Sequence, residues 1–494
     1  MLRSIRSFPQ QTRFWLPVFF GVAALVIGLG AGLLVIGVPD ALKLFVIVIG
    51  LFAFVASVAR VEWGLLVLVF ITYTRFSDIA IKYHGAPSTA KSFIFLLLFA
   101  ILLRWAAYGE KPRGWVRPAL HMAIFGLVGY LTILYAVDPQ RTSNASMDYF
   151  KDAIIVVIVA ILMQRVRTLR QVVWTLLAAG IFMGTISVIQ YVTGTFTNNY
   201  WGFAQAPIEH IVGETSGHRV SGPIGDPNFY AQIMLPLIPL ALDRLWNEKK
   251  RGLRLIALFT LIVCFLTVIF TFSRGAFVAM IAMFGVMLLF NPPRPIALAI
   301  TILLGLVLIR FIPNEYSARM ATLTDFFSQE TSTTPPGDAS IRGRTSEILV
   351  GWMMFRDHPI LGVGYNNYPV HYQSYSRQLG LDPRIEQRSA HNLYIEIAAE
   401  TGLLGLTAFV ILVFGALRGL WATWKMFRNF NKIPLGTTVP KAKIIAAFGV
   451  GLIGYLMAGM FIHDAYPRFL WMLIAIAFAM PNIAREELGI IHLW

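Results

Sequence analysis

The chain has 494 residues, of which 57% are hydrophobic and only 13% charged, with a mean hydropathy of +0.67. An ordinary soluble domain is about half apolar and about a quarter charged, so this composition excludes one and indicates a membrane protein. The net charge of +16 would suit either nucleic acid or anionic lipid, and its distribution along the chain decides between them.

In chain order, apolar stretches of the length that roughly 30 Å of hydrocarbon demands of a helix predict helices at 14–38, 41–59, 62–76, 90–108, 118–137, 150–164, 171–192, 228–246, 254–272, 275–290, 295–312, 392–417, 443–462 and 467–484. The expected fold class is all-α: a polytopic integral membrane protein with about 12–14 transmembrane helices. The N-terminal "MLRSIRSFPQQTR" and the apolar run after it resemble a signal peptide. The run is too long for that and no small-residue cleavage site closes it, so an uncleaved first helix is expected. Cys264 is the only cysteine, which excludes an intramolecular disulfide.

With the N-terminus placed in the cytoplasm, the basic residues collect on the cytoplasmic side, the positive-inside pattern. Both termini are then cytoplasmic. The loops "WNEKKRGLR" and "WKMFRNFNK" read as topology signals that touch anionic headgroups, and nucleic acid has no support as a partner. Four parts follow: N-terminal transmembrane helices (1–192), an outer loop with central helices carrying arginine clusters (193–312), a large outer loop bearing short helices (313–391), and C-terminal helices (392–494). In the large loop, "SQETSTTPPGDASIRGR" reads as flexible. The following "TSEILVGWMMFRDHPILGVGYNNYPVHYQSYSRQL" has helical spacing up to a break at His358 and Pro359.

Three polar clusters converge on the outer face. In "GHRVSGPIGDPNFYAQ", Asp226 or Asn228 reads as a cap for the helix that follows, whereas Arg219 has no role in a turn. In "TFSRGAF", Arg274 lies between two apolar spans, where a guanidinium either snorkels to the interface or meets an anion. The third cluster joins Arg342 and Arg344 of "SIRGRTSEILVGW" to "RSAHNLYIEIAAETGLLG". There His391 and Asn392 precede Tyr394, and Glu396 and Glu400 stand one turn apart on one helix face. A histidine near a helix start is disfavoured as imidazolium by the macrodipole, which would keep it neutral and able to act as a general base. The alternative is that His391 and Asn392 only cap the helix, and that Glu396 and Glu400 balance an arginine inside the bundle. Several arginines beside one histidine suit an anion with more than one phosphate, which guanidinium forks bind bidentately. A lipid diphosphate is the natural candidate.

No Walker sequence, nucleotide fingerprint, HExxH or paired-cysteine metal site is present, so neither metal nor cofactor is expected. "LGVGYNNY" lacks the Lys-Ser/Thr of a P-loop and reads as a turn.

The order of these clusters, "RVSGPIGDPNFYA", "TFSRGAFVAM", "RGRTSEILVGWMMFRDHPILGVGYNNY" and "HNLYIEIAAETGLLG", resembles the O-antigen ligase and O-antigen polymerase superfamily of bacterial envelope glycosyltransferases, over residues 215 to 410. The resemblance implies a metal-independent inverting glycosyltransferase of the cytoplasmic (inner) membrane with its active site on the outer face. Its donor would be a glycan on a polyprenyl (undecaprenyl) diphosphate. The acceptor would be a lipid A core sugar in a ligase, or another lipid-linked repeat in an O-antigen or exopolysaccharide polymerase. Carried over by position, Arg219 and Arg274 would hold the diphosphate, with Arg342 or Arg344 a third basic contact. His391 would be the base on the acceptor hydroxyl or a contact to the donor phosphate, with Asp226, Asn228, Asn392, Tyr394, Glu396 and Glu400 in support. Family ligases are usually described with fewer spans than the fourteen segments read here. A different class stays open: a transporter of bicarbonate or another small anion, which calls for interrupted helices in paired positions. No such pair is evident in the sequence. A flippase-like or purely structural envelope protein is a third reading.

Overall fold

The computed structural model describes residues 60–212, 215–325, 339–380, 387–429, 435–462 and 468–489. The expected helices at 14–38 and 41–59 lie outside the described residues, as does the stretch 326–338 of the Ser/Thr/Pro/Gly-rich loop. Each of the other twelve expected segments falls on a helix or a helix pair.

In chain order these are α1 (Val61–Tyr73), α2 (Phe76–His84), α3 (Thr89–Tyr108), α4 (Val116–Leu131), α5 (Pro139–Leu162) and α6 (Val166–Thr193). A two-stranded antiparallel hairpin follows, β1 (Ile208–Val212) and β2 (Thr215–His218). Then come α7 (Pro227–Met234), α8 (Leu237–Asn247), α9 (Arg251–Phe270), α10 (Arg274–Phe290), α11 (Pro295–Ile309) and α12 (Asn314–Asp325). The large loop carries α13 (Ala339–Asp357) and α14 (Tyr368–Leu379), and α15 (Leu393–Asn429), α16 (Leu435–Ala458) and α17 (Arg468–Glu487) complete the chain. Among the described residues seven helices are long and apolar enough to cross a membrane, or up to nine if each of two bent pairs is one span. The protein is therefore an all-α polytopic membrane protein.

The sequence reading missed the interruptions. α1 and α2 meet at an angle of 57°, around Arg75 with its left-handed φ of 54°. The expected single span 228–246 is two short helices, parted where Pro236 lacks the N–H that would continue the first. The third interruption is inside α15, where Gly402 leaves helical geometry at φ 62°, ψ −162°. A break in a membrane helix frees backbone groups that lipid cannot satisfy.

At Gly402 the loop after α13 meets four of the freed groups. Val363 N–H donates to Ala399 C=O at 2.8 Å and Gly364 N–H to Glu400 C=O at 2.9 Å. In return Leu403 N–H donates to Pro359 C=O at 2.7 Å and Leu404 N–H to Ile360 C=O at 3.2 Å. The glycines are required by this contact. A Cβ on Gly402 would fall on the Ile360 carbonyl, and one on Gly362 (φ 72°) on the Glu400 carbonyl. "LGVGYNNY" is thus a turn, built to splice into a helix.

The most buried elements are α7, α8 and α17. α17 packs on α5 and α15, α10 and α8 on α16, and α9 on α6 and α8. Phe125, Tyr149, Phe409 and Trp471 form an aromatic cluster between them. Polar side chains stitch the broken helix α7 into this core: Tyr73 donates to Ile233 C=O at 2.7 Å, Gln232 to Tyr455 C=O at 3.1 Å, and Ser187 meets the Tyr230 hydroxyl at 2.8 Å. At the other end of α8 the "WNEKKRGLR" loop is more than a charge signal. Glu248 receives Arg170 at 2.6 Å, and Asp243 receives Arg244 and Asn247.

Candidate active site

The site forms where four helices start and one ends. Asp226 caps α7, its Oδ1 accepting the N–H groups of Asn228 and Phe229 at 2.8 and 3.0 Å, with Pro227 in the first turn. Ser273 caps α10. Asn392 caps α15, its Oδ1 accepting from Tyr394 and Ile395 at 3.0 and 3.1 Å, while its amide donates to Met460 C=O at 3.0 Å. Of the alternatives the sequence left open, capping therefore belongs to Asp226 and Asn392. Asn228 and His391 do something else.

Arg219 follows β2 and is only 4% exposed. Its Nε donates to the Thr271 carbonyl at 2.8 Å, at the end of α9. Nη1 meets Glu209 Oε2 of β1 at 2.5 Å, and Nη2 donates to Asn228 Oδ1 at 3.0 Å. One guanidinium therefore fastens the hairpin, the end of α9 and the start of α7 together. Burial lowers its pKa, against the pull of Glu209 and Asp226 and with Arg274 adding to the decrease.

Arg274 opens α10 and is 5% exposed, buried within the bundle and not extended along a lipid-facing surface. Arg344, in α13, has its pKa pushed down to about 10, first by burial and then by Arg274, with Arg219 adding and Glu347 and Asp226 opposing. Guanidiniums from three separate stretches of chain, those of Arg219 and Arg274 buried, thus share one field. The side chain of Arg342 lies outside the described residues.

His391 stands before the cap of α15 with a left-handed φ of 47°, a conformation that costs on the order of 1–3 kcal/mol for a non-glycine residue. Its Nδ1 lies 2.9 Å from Glu347 Oε2 and donates to the Ser389 carbonyl at 3.1 Å. The other carboxylate oxygen of Glu347 holds Arg388 at 2.9 Å, and Glu347 itself is almost fully buried. Burial pulls the His391 pKa down, but the hydrogen bond and charge of Glu347, helped by the Ser389 carbonyl, outweigh it against Arg344. The net direction is up from the ordinary 6.5. This corrects the expectation of a ring kept neutral by the macrodipole, because a carboxylate in contact outweighs a helix terminus. Tyr368 donates its hydroxyl to the Glu347 backbone carbonyl at 2.5 Å, and burial followed by the Glu347 charge holds that hydroxyl protonated.

The two glutamates of α15 have other work. Glu400 accepts the N–H groups of Asn366 and Tyr368 at 2.7 and 3.0 Å, where α14 begins. Glu396 is buried one turn before it. Tyr394 ties α15 to α16 by donating to Leu456 C=O at 2.8 Å. The sequence reading missed Glu347, Arg388 and Glu209. Glu347 stands three residues after Arg344 on a helix, and Arg388 three before His391, so both carried a spacing signal. Glu209 carried none, since its partner arrives through a hairpin. Among the described residues no three of His, Cys, Asp and Glu gather as metal ligands.

Residues 259–410 match the family model described as O-antigen ligase, so this segment of the chain is similar to that family. The matched segment holds Arg274, Arg344, Glu347, Arg388, His391 and Glu400, whereas Arg219 precedes it. No curated protein matches the chain.

Proposed function

We propose that this chain is a metal-independent inverting glycan ligase at the outer face of the bacterial cytoplasmic membrane. It would move a glycan from polyprenyl diphosphate to an acceptor hydroxyl, such as that of a lipid A core sugar. The observation that carries this reading is the gathering of Arg219, Arg274 and Arg344 in one field beside the Glu347–His391 pair. Such a field has room in its electrostatics for an anion. Arg274, at the positive N-terminus of α10, and Arg344 are the donor contacts. Arg219, already bonded to three protein acceptors, adds its charge and holds the floor of the site in place.

In the reaction the acceptor oxygen attacks the anomeric carbon while its proton passes to Nε2 of His391. Glu347 keeps the other proton on Nδ1 and stabilises the imidazolium that forms. The bond from the anomeric carbon to the diphosphate oxygen breaks, and the electron pair leaves with polyprenyl diphosphate. That charge is met by the preorganised guanidiniums, so the leaving group needs no protonation and the anomeric configuration inverts.

The test is to incubate purified protein with a polyprenyl-diphosphate glycan, with and without a lipid A core acceptor. Acceptor-dependent glycolipid is the expected product. Longer lipid-linked chains formed without the acceptor would make the enzyme a polymerase, and neither product would end both readings. A second reading, small-anion transport, draws on the helix breaks at Arg75, Pro236 and Gly402. Uptake that survives Arg274→Ala and His391→Ala, with no glycan product from the unaltered protein, would favour it.

A further inference from the structure

A cleft of about 480 Å³ opens between the end of α2 and the loop that follows α6, lined by Tyr83, His84, Asn198, Asn199, Tyr200 and Trp201. Three aromatic rings, two amides and an imidazole line it, with no carboxylate, lysine or arginine among them. Trp201 is 63% exposed, and among the described residues its ring stacks on no other ring and its indole N–H makes no hydrogen bond. The Asn199 amide and the Tyr83 hydroxyl are likewise without a hydrogen-bond partner among the described residues.

The cleft is built, and at a cost. Tyr200 and Trp201 both have left-handed φ, 45° and 58°, which for bulky residues marks strain held by the surroundings. What holds it is visible. His84 Nε2 donates to the Trp201 carbonyl at 3.1 Å, the Tyr200 hydroxyl meets Thr195 Oγ1 at 2.7 Å, and Gln190 donates to Asn198 C=O at 2.9 Å. Gly202, at φ 95°, lets the Tyr83 ring lie where a Cβ would otherwise stand.

From these observations we infer that the cleft is a carbohydrate-binding subsite for uncharged pyranose rings of a glycan chain. Aromatic faces cover the apolar side of a sugar ring, and unspent amide and hydroxyl groups meet its hydroxyls. Trp201 is six residues from Pro207, whose carbonyl accepts the Arg219 N–H at 3.0 Å. By chain reach alone the cleft lies within about 25 Å of that arginine. That the sugar belongs to a lipid-linked substrate rests on the ligase reading, whereas binding of free sugar does not.

The experiment uses the full-length protein in nanodiscs and, as probe, oligosaccharides released by mild acid from the surface polysaccharide of cells that make it. Saturation-transfer NMR is expected to show contact with ring protons, and Trp201→Ala to weaken affinity about tenfold, with Trp201→Tyr keeping most of it. Arg274→Ala and His391→Ala should leave this binding intact, since the probe has no diphosphate. Absence of transferase activity from the unaltered protein, with sugar binding retained, would sink the ligase reading and spare the subsite. Absence of binding, or equal binding by Trp201→Ala, overturns the subsite. So does quenching of Trp201 by brominated lipid, read as the difference between unaltered protein and Trp201→Phe, because it would make the ring a headgroup anchor.

Discussion

Glu347 Oε2 lies 2.9 Å from His391 Nδ1, joining a helix of the large loop to the residue that precedes α15. The pair sets both the tautomer and the basicity of the ring. An activity that needs the neutral ring is low below the His391 pKa and rises as pH passes it, and that pKa lies above 6.5. In Glu347→Gln, burial and Arg344 act without the carboxylate, so the pKa falls and the rising limb should move to lower pH. The maximal rate should drop about 10²-fold as the ring loses basicity and orientation. A pH–rate profile of both proteins decides this. A rate that falls with rising pH over the same range would instead make His391 a phosphate contact acting as imidazolium.

Arg344→Gln removes a charged donor from the field while keeping a polar side chain there. Loss of a charge-assisted contact worth about 1.5–3 kcal/mol should weaken donor binding by about 10- to 150-fold. Measured as KM for the lipid-linked glycan against KM for the acceptor, the effect should fall on the donor alone.

Arg219→Lys keeps the charge but cannot span Thr271, Glu209 and Asn228 together. The expected result is a loss of about 1–3 kcal/mol in the local stability of the hairpin. Hydrogen exchange at Ile208–His218 should quicken while helices on the far side of the bundle do not change.

Gly402→Ala places a Cβ on the Ile360 carbonyl and a side chain on a left-handed residue. Strain of about 1–3 kcal/mol, with weakening of the hydrogen bonds around it, should lower the apparent melting temperature of the detergent-solubilised protein. Gly362→Ala should do the same. Gly252→Ala, where a Cβ meets open space, is the control.

Much of the fold was legible because lipid imposes a simple rule: a helix must be long and apolar. Every expected segment within the described residues coincides with helix. The breaks were not legible, because the apolar run through "AAETGLLGL" continues across Gly402 and its partners sit in a distant loop. At the site, Arg274 stood out as a charge between apolar spans, and Arg344 and His391 as polar residues where the large loop meets the next helix. Glu400 stood out for its place one turn from Glu396 on one helix face, but its acceptor role toward Asn366 and Tyr368 depends on a turn that no local spacing announces. Glu347 was passed over because its partners, Arg388 and His391, come from a distant part of the sequence. In the structure that glutamate turns inward to His391 and Arg388.

The splice at Gly402 also bears on how the protein is made. A membrane helix that cannot close its own hydrogen bonds cannot be released into lipid as a finished rod. The segment that completes α15, Pro359–Gly364, precedes it in the sequence and is synthesised first. A circular permutant that places Pro359–Gly364 after α15 should therefore insert poorly even though every residue of the final fold is present.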